Sequence, residues 1–453
     1  MIYQKSNPSR SKSVSPQYLG ALAANCKGEI FEMEGFAAVG MANGDLTPLT
    51  YENTQIMPHG SELMLLPNRT PIFYNLENDQ FEAWPNNPYD PEEAIYPVAA
   101  FNSPGALVSL VCAHGEDYFE DDLPLPLFSY GAVGAYGDTN RSAVLTVDRE
   151  KRQDLRCMKI EAVQKGVAEI QGRMPENRLF KHLQKCALEY GCPAGKNFFL
   201  GRFEAPLPTA VTCNARCLGC ISMQAEESCI HHSQDRIMFT PTPEEIAEIA
   251  LTHIKKVSQG VVSFGQGCEG EPLTAAKVIE PAIKMIRAAT AEGTVHLNSN
   301  ASLPKVLDQL FDAGLDSLRV SINSLREPCY NAYFRPIGYT FADVMASIRL
   351  ALDRGKFVSL NYFSLAGFTD AEKEHAALMK FLDEYPVHMI QWRNLNFDPR
   401  LYWDIMDKAE FGGRPLGMQT VLDNVRAERP DMLFGYFNPP KEKTARLVTK
   451  CNG

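Results

Sequence analysis

Between about residues 200 and 395 the chain alternates short apolar runs with segments of helical periodicity. The runs at 207–212, 260–264, 294–298, 317–322, 357–363 and 388–393 read as strands. The segments between them carry helix-start signals. Thr242-Pro243-Glu244-Glu245 is a capping box with proline at the first helical position, followed by Ile246, Ile249, Ala250, Ile254 and Val257 on one face. Thr340 precedes Val344, Ile348 and Leu352 at helical spacing, and Gly355 stands where a left-handed C-cap is wanted. Thr369-Asp370-Ala371-Glu372 is a further capping box, leading to Leu378, Phe381 and Leu382. Strand and helix in regular alternation predict a parallel sheet or barrel, with its chemistry at the carboxyl ends of the strands.

Before residue 200 the pattern differs. Short β-like runs at 62–66, 72–75, 106–112 and 143–147 are separated by turns rich in Pro, Asn and Gly, which predicts a small β-rich domain. A helical region follows over 161–190 and ends at the Gly-Cys-Pro-Ala-Gly turn around Gly191. The expected organisation is a polar N-terminus without structure over 1–20 and a β-rich plus helical domain over 21–200. An α/β core over 201–400 and a C-terminal extension over 401–453 complete it. The acidic residues Glu116, Asp117, Glu120, Asp121 and Asp122 around Tyr118 and Phe119 read as a solvated loop.

A chain of 453 residues exceeds one ordinary core, and 45% hydrophobic with 22% charged residues is normal for a globular enzyme. The net charge of −11 argues against a nucleic-acid or anionic-membrane partner. The N-terminal stretch has no apolar core of a signal segment, and no run is long and apolar enough to span a bilayer. Twelve cysteines at irregular spacing do not make a disulfide framework. These features together predict a soluble cytoplasmic protein.

Cys213, Cys217 and Cys220 place three thiols within eight residues, so a short loop can turn all three sulfurs inward. A structural zinc or a closed iron–sulfur cluster wants four protein ligands, and three leave one position open. Two plainer readings stand beside this one. Cys229, His231 or His232 would complete a zinc site in a binding or scaffold module. The thiols would otherwise simply be buried, since free Cys packs as a small hydrophobe. The C-x3-C-x2-C spacing, with Asn214 after the first Cys, resembles the cluster loop of the radical S-adenosylmethionine (SAM) enzymes.

That resemblance implies a partial (β/α)6 TIM-like barrel over 201–400 and one [4Fe–4S] cluster held by Cys213, Cys217 and Cys220. It implies SAM chelated through its amino and carboxylate groups at the unclaimed iron, and a reductant such as flavodoxin or ferredoxin. One electron then breaks the S–C5′ bond, and a 5′-deoxyadenosyl radical takes hydrogen from a substrate that no signature identifies. Methyl transfer, as in the RNA-methylating members, is the alternative chemistry, and the acidic charge counts against RNA.

Within the resemblance, Gly265-Gln266-Gly267-Cys268-Glu269-Gly270-Glu271-Pro272 looks like a stretched form of the Gly-Gly-Glu-Pro segment that contacts the SAM amino group. Gly267, Gly270, Glu271 and Pro272 are therefore expected at the cofactor. Asn298 and Asn300 close the third strand, and Ser321 and Asn323 close the fourth, where related enzymes hold the nucleoside. Alternation puts Arg319, Ser321 and Asn323 on one polar face, and Arg335 carries a fork suited to a carboxylate. Cys229, Cys268 and Cys451 remain without a role, and Cys157, Cys186 and Cys192 match no cluster motif and are expected as free thiols.

Overall fold

The computed structural model describes residues 17–115 and 123–451. The acidic run at 116–122 and most of the polar N-terminus lie outside the described residues. A seven-stranded parallel sheet carries the second half of the chain, with strands Glu204–Pro206, Val261–Phe264, Thr294–Ser299, Ser317–Ile322, Phe357–Ser364, Met389–Asn394 and Leu433–Phe434 in chain order across it. Its two edges stay apart, so it is a curled, open half-barrel. The last strand is a short edge that the hydropathy pattern did not announce.

The strands hold this curvature because their faces differ in chemistry. Val262, Phe264, Val295, Leu297, Leu318, Val320, Val358, Leu360 and Tyr362 are buried and belong to the apolar core. Their neighbours Ser263, His296, Asn298, Arg319, Ser321, Ser359 and Asn361 point the other way, into the barrel. Parallel register aligns these polar positions in rows. Asn298 stands opposite Arg319 and Arg319 opposite Ser359, while Ser321 faces Asn361 and Asn361 faces Gln391. The barrel interior is polar by pattern.

The structure moves the first strand. The apolar run at 207–212 was expected to form it, but the paired residues are Glu204–Pro206. Pro206 and Pro208 have no N–H to offer a ladder, and the Leu207 N–H makes the last sheet bond, to Ser263 O at 2.8 Å. Beyond it the Thr209 and Ala210 amides turn to the Glu269 carboxylate. The capping boxes at Thr242 and Thr340 form as expected. The one at Thr369 does not. Helix Glu372–Glu384 has Ala371 at its N-cap, and its free first-turn amides at Glu372 and Lys373 donate to the carbonyls of Arg414 and Gly412. Thr369 and Asp370 instead accept from Leu365 and Gly367 in the preceding turn.

The first half is more β-rich than its pattern suggested. Among the described residues a thirteen-stranded antiparallel sheet has Gly20–Asn25, Ile30–Ala37, Asp90–Phe101 and Gly131–Tyr136 near its centre. The expected strand over 106–112 splits into Ala106–Val108 and Val111–Cys112, which join different sheets. The helical region forms as Ile160–Gln171 and Arg178–Leu188, and a third helix, Pro193–Leu200, starts where a terminating turn was expected. Pro193 sits at its first position, where a missing N–H costs nothing.

One apolar cluster runs from Val39 and Leu107 through the barrel to Val425, so the two halves share a core. Arg69 and Asp398 form a buried ion pair at 3.1 Å across them. Asn394 bonds the backbone of Val108 and Ala106. The C-terminal segment closes the barrel floor, where Asn438 donates to Glu204 at 2.7 Å and the Asp148 carboxylate accepts from the Tyr436 N–H. No helix among the described residues is long and apolar enough to cross a membrane.

Candidate active site

The cysteine loop leaves the first strand and is pinned by backbone bonds to the segment that ends helix Glu327–Phe334. The Arg216 N–H donates to Phe334 O and the Leu218 N–H to Tyr333 O, both at 3.0 Å, and the Ile337 N–H donates to Asn214 O at 2.9 Å. Cys213, Cys217 and Cys220 all line one open cavity of about 300 Å³ at the carboxyl ends of the strands. Burial pushes the Cys213 thiol up to about 11 and Cys217 well above its ordinary range. Both keep their protons until a cation takes their place.

The three Sγ atoms are not all within 4.8 Å of one another. A tetrahedral zinc, with Zn–S near 2.3 Å, holds its sulfurs about 3.8 Å apart. A four-iron cluster spreads its ligands over separate irons and suits the wider set. The fourth ligands expected for zinc, Cys229, His231 and His232, are exposed and stand outside the cavity wall. Arg236 is the unforeseen neighbour, with Nη2 at 3.5 Å from the Cys220 sulfur and Nε bonded to Ser222. Nothing local in the sequence marks it.

The glycine-rich turn forms the adjoining wall, and sterics dictate two of its glycines. A Cβ at Gly270 would lie 1.9 Å from Thr212 O, and one at Gly265, where φ is +81°, 1.8 Å from Asn298 O. The Gly270 and Glu271 amides donate to Ala210 O and Thr212 O, at 2.7 and 2.9 Å, joining the turn to the cysteine-bearing segment. Glu269, which the motif reading passed over, is the keystone. Its buried carboxylate accepts the amides of Thr209, Ala210, Gly265 and Gln266 at 2.7–2.8 Å. Glu271 accepts from the Leu273 and Asn300 amides and the Ser299 hydroxyl, and burial pushes its pKa up to about 7.

The strand-end residues divide. Gly267, Gly270, Glu271, Pro272, Asn298, Asn300 and Ser321 share the cavity wall with the three cysteines. The Asn298 amide donates to Phe264 O, and Asn300 donates to Asn214 beside Cys213, at 2.8 Å each. Asn323 lies beyond the end of its strand, fully buried, with its amide donating to Cys329 O and the Tyr402 hydroxyl. It is outside the cavity wall, and so is exposed Arg335, whose φ is +48°.

The wall farther round the barrel holds Arg319, Asn361 and Arg393. Arg319 donates to Gln391, while its buried Nε and the Oδ1 of Asn361 have no partner. Arg393 stacks over Tyr436 at 4.8 Å. Among the described residues neither guanidinium is ion-paired within 4.0 Å, although the Glu204 carboxylate acts on Arg319 from farther off. Burial pulls Arg319 down to about 10, which leaves it charged at neutral pH.

Residues 207–379 match the family model of the Radical SAM superfamily. A curated relative named GTP 3′,8-cyclase, from Lactiplantibacillus plantarum, is 24% identical over 254 residues, covering 53% of this chain and 72% of the relative. Among solved structures, a radical SAM methyltransferase from Sphaerobacter thermophilus aligns at 14% identity and TM-score 0.34, over 46% of this chain and 64% of that one. HydG, a maturase of the [FeFe]-hydrogenase, aligns at 14% identity and TM-score 0.37, over 65% and 71%. The stretch 207–379 is thus similar to the Radical SAM superfamily, whose members use a [4Fe–4S] cluster and SAM.

Proposed function

We propose that this chain is a radical SAM enzyme whose cluster is held by Cys213, Cys217 and Cys220 and whose substrate carries an anionic group. When bound, the cluster and SAM supply one-electron cleavage of the S–C5′ bond and a 5′-deoxyadenosyl radical that abstracts hydrogen from the substrate. The observation that carries the reading is the shared cavity, with three thiols on one wall and the sterically constrained turn at Gly267–Pro272 on the next. In this reading the Gly267–Pro272 backbone meets the amino end of SAM. Asn298 and Asn300 position that wall, and Ser321 reaches the nucleoside. Arg319 and Arg393 receive the substrate anion through forks that no protein carboxylate occupies. The relative's printed name, a cyclase of GTP, is compatible with a substrate rich in negative charge.

The unit over 201–400 is the catalytic core, with 21–200 and 401–453 closing it. The enzyme works in the cytoplasm with flavodoxin or ferredoxin as electron donor. Anaerobic reconstitution tests the assignment. Wild type is expected to bind about four irons per chain and absorb broadly near ~400 nm. Cys213→Ala, Cys217→Ala and Cys220→Ala are each expected to lose the cluster and the reductant-dependent release of 5′-deoxyadenosine. A variant that keeps both removes that cysteine from the ligand set.

A further inference from the structure

A second group of soft ligands lies behind the glycine-rich turn, and the chemistry described so far makes no use of it. His182 and Cys186 sit four residues apart on helix Arg178–Leu188, a spacing that brings both side chains to one face. Cys268 reaches them from the turn between Gly267 and Glu269. The ligand atoms of all three lie within 4.8 Å of one another. His182 Nε2 is 3.5 Å from Cys186 Sγ. A tetrahedral zinc with Zn–S near 2.3 Å and Zn–N of 2.0–2.1 Å places its nitrogen and sulfur about 3.5 Å apart. This group is therefore drawn together at the spacing of one ion, whereas the triplet at 213, 217 and 220 is not.

Cys192 stands beside the group. Its N–H donates to Cys186 O at 2.9 Å, and it caps helix Pro193–Leu200. Its sulfur is not one of the ligand atoms within 4.8 Å of one another, so it stands next to the group of three. Cys186 and Cys268 are 2% and 6% exposed and His182 is half-buried, so two of the ligands are shielded from solvent. Three thiolates with one imidazole form a closed zinc donor set.

We infer that His182, Cys186 and Cys268 bind one structural zinc ion, with the neighbouring Cys192 thiol turning in to complete the set, which fastens the helical segment before the barrel to the glycine-rich turn. The ion holds Cys268 from one side while Glu269 and Gly270 hold the cysteine-bearing segment from the other, so zinc sets the shape of the cofactor wall without touching the cofactor. The inference is independent of what the enzyme acts on and of whether the first triplet carries iron.

The test is metal analysis of the full chain, purified anaerobically from cells grown with zinc, together with zinc X-ray absorption. Wild type is expected to carry about one zinc per chain beside its iron, with a sulfur shell near ~2.3 Å and one imidazole shell near ~2.0 Å. Cys186→Ser with Cys268→Ser is expected to lower zinc at least tenfold and leave the iron content in place. Cys213→Ala with Cys217→Ala and Cys220→Ala is expected to do the reverse. Zinc that disappears with the first triplet, about eight irons per chain, or a Cys186–Cys268 disulfide found by mass spectrometry would each overturn the site. Should the double variant fail to fold, wild type decides alone, since absence of zinc or a shell without imidazole refutes the assignment.

Discussion

Replacing Glu269 by Gln puts the weight of one side chain on trial. Both carboxylate oxygens are fully used: one accepts from Gly265 and Gln266 at 2.7 and 2.8 Å, the other from Thr209 and Ala210 at 2.8 Å. Four donors favour the ionised form against the burial that pushes its pKa up. An amide of the same shape keeps one oxygen and turns its NH2 toward two N–H groups. Whichever way it flips, two buried amides lose their acceptor, at about 1–3 kcal/mol each. The expected loss is therefore about 2–6 kcal/mol, a large share of the 5–15 kcal/mol typical of folded proteins. Urea unfolding of the reduced apo chain reads the stability, and calorimetric titration of SAM into reconstituted protein reads the wall. Both should fall, because the donors belong to the segment that leads to Cys213 and to the turn that faces the cavity. A loss under about 1 kcal/mol with unchanged SAM affinity would refute the keystone role.

Three further outcomes follow from the same geometry. Gly270→Ala drives a methyl against Thr212 O, where a backbone atom rather than a flexible side chain must give way. It should cost about 1–3 kcal/mol and weaken SAM binding at least tenfold, and a crystal structure with an unshifted turn would contradict this. His253 is 1% exposed, and burial pulls its pKa down to about 4. The unfolded chain binds its proton near pH 6.5, so its contribution is complete above that pH and is lost as pH falls toward 4. At pH 5 the loss amounts to about 2 kcal/mol, and His253→Gln should remove that much of the drop in unfolding free energy between pH 7 and 5, read by urea unfolding at each pH. Arg319→Leu with Arg393→Leu should abolish binding of inorganic pyrophosphate, used as an anion probe, and leave SAM affinity within about twofold. Loss of SAM affinity with pyrophosphate binding intact would assign the pair to the cofactor carboxylate instead.

What could be read in the chain before its structure depended on how local each signal was. Strands such as Ser317–Ile322 announce themselves because apolar outward residues alternate with polar inward ones, and their observed bounds agree. The first strand was misplaced because its residues include Glu204, a charge that reads as loop. Its carboxylate is buried only because Ser263 and Asn438, far along the chain, bond to it. The N-terminal strand Gly20–Asn25 reads Gly-Ala-Leu-Ala-Ala-Asn, poor in β-formers, and is held as a strand by neighbours on both sides. The cysteine triplet was visible because its three ligands share one short loop. Arg236, Glu269 and Arg393 were not, since each acquires meaning from a contact with another part of the chain. Asn323 failed in the opposite sense. Its pattern placed it on the polar face, but the strand ends at Ile322 and the next residue turns away into the packing around Tyr402.

The turn over 265–273 explains why so much converges on so few residues. Its neighbours along the chain face different structures: Gly265 the third strand end, Cys268 the helix Arg178–Leu188, Glu269 the continuation of the first strand, Gly270 the approach to Cys213, and Glu271 the backbone of Asn300. A segment with alternating obligations of this kind has no slack, because satisfying one partner fixes the dihedrals that serve the next. Length is what makes this possible. A shorter Gly-Gly-Glu-Pro turn offers one carboxylate, whereas the stretched form offers two carboxylates and a thiol, each aimed at a different element. The added residues anchor the wall, and the cavity face is left to glycines that admit no side chain. The added residues tie the cavity wall to the first strand and to the N-terminal helices, at the place where those helices meet the barrel.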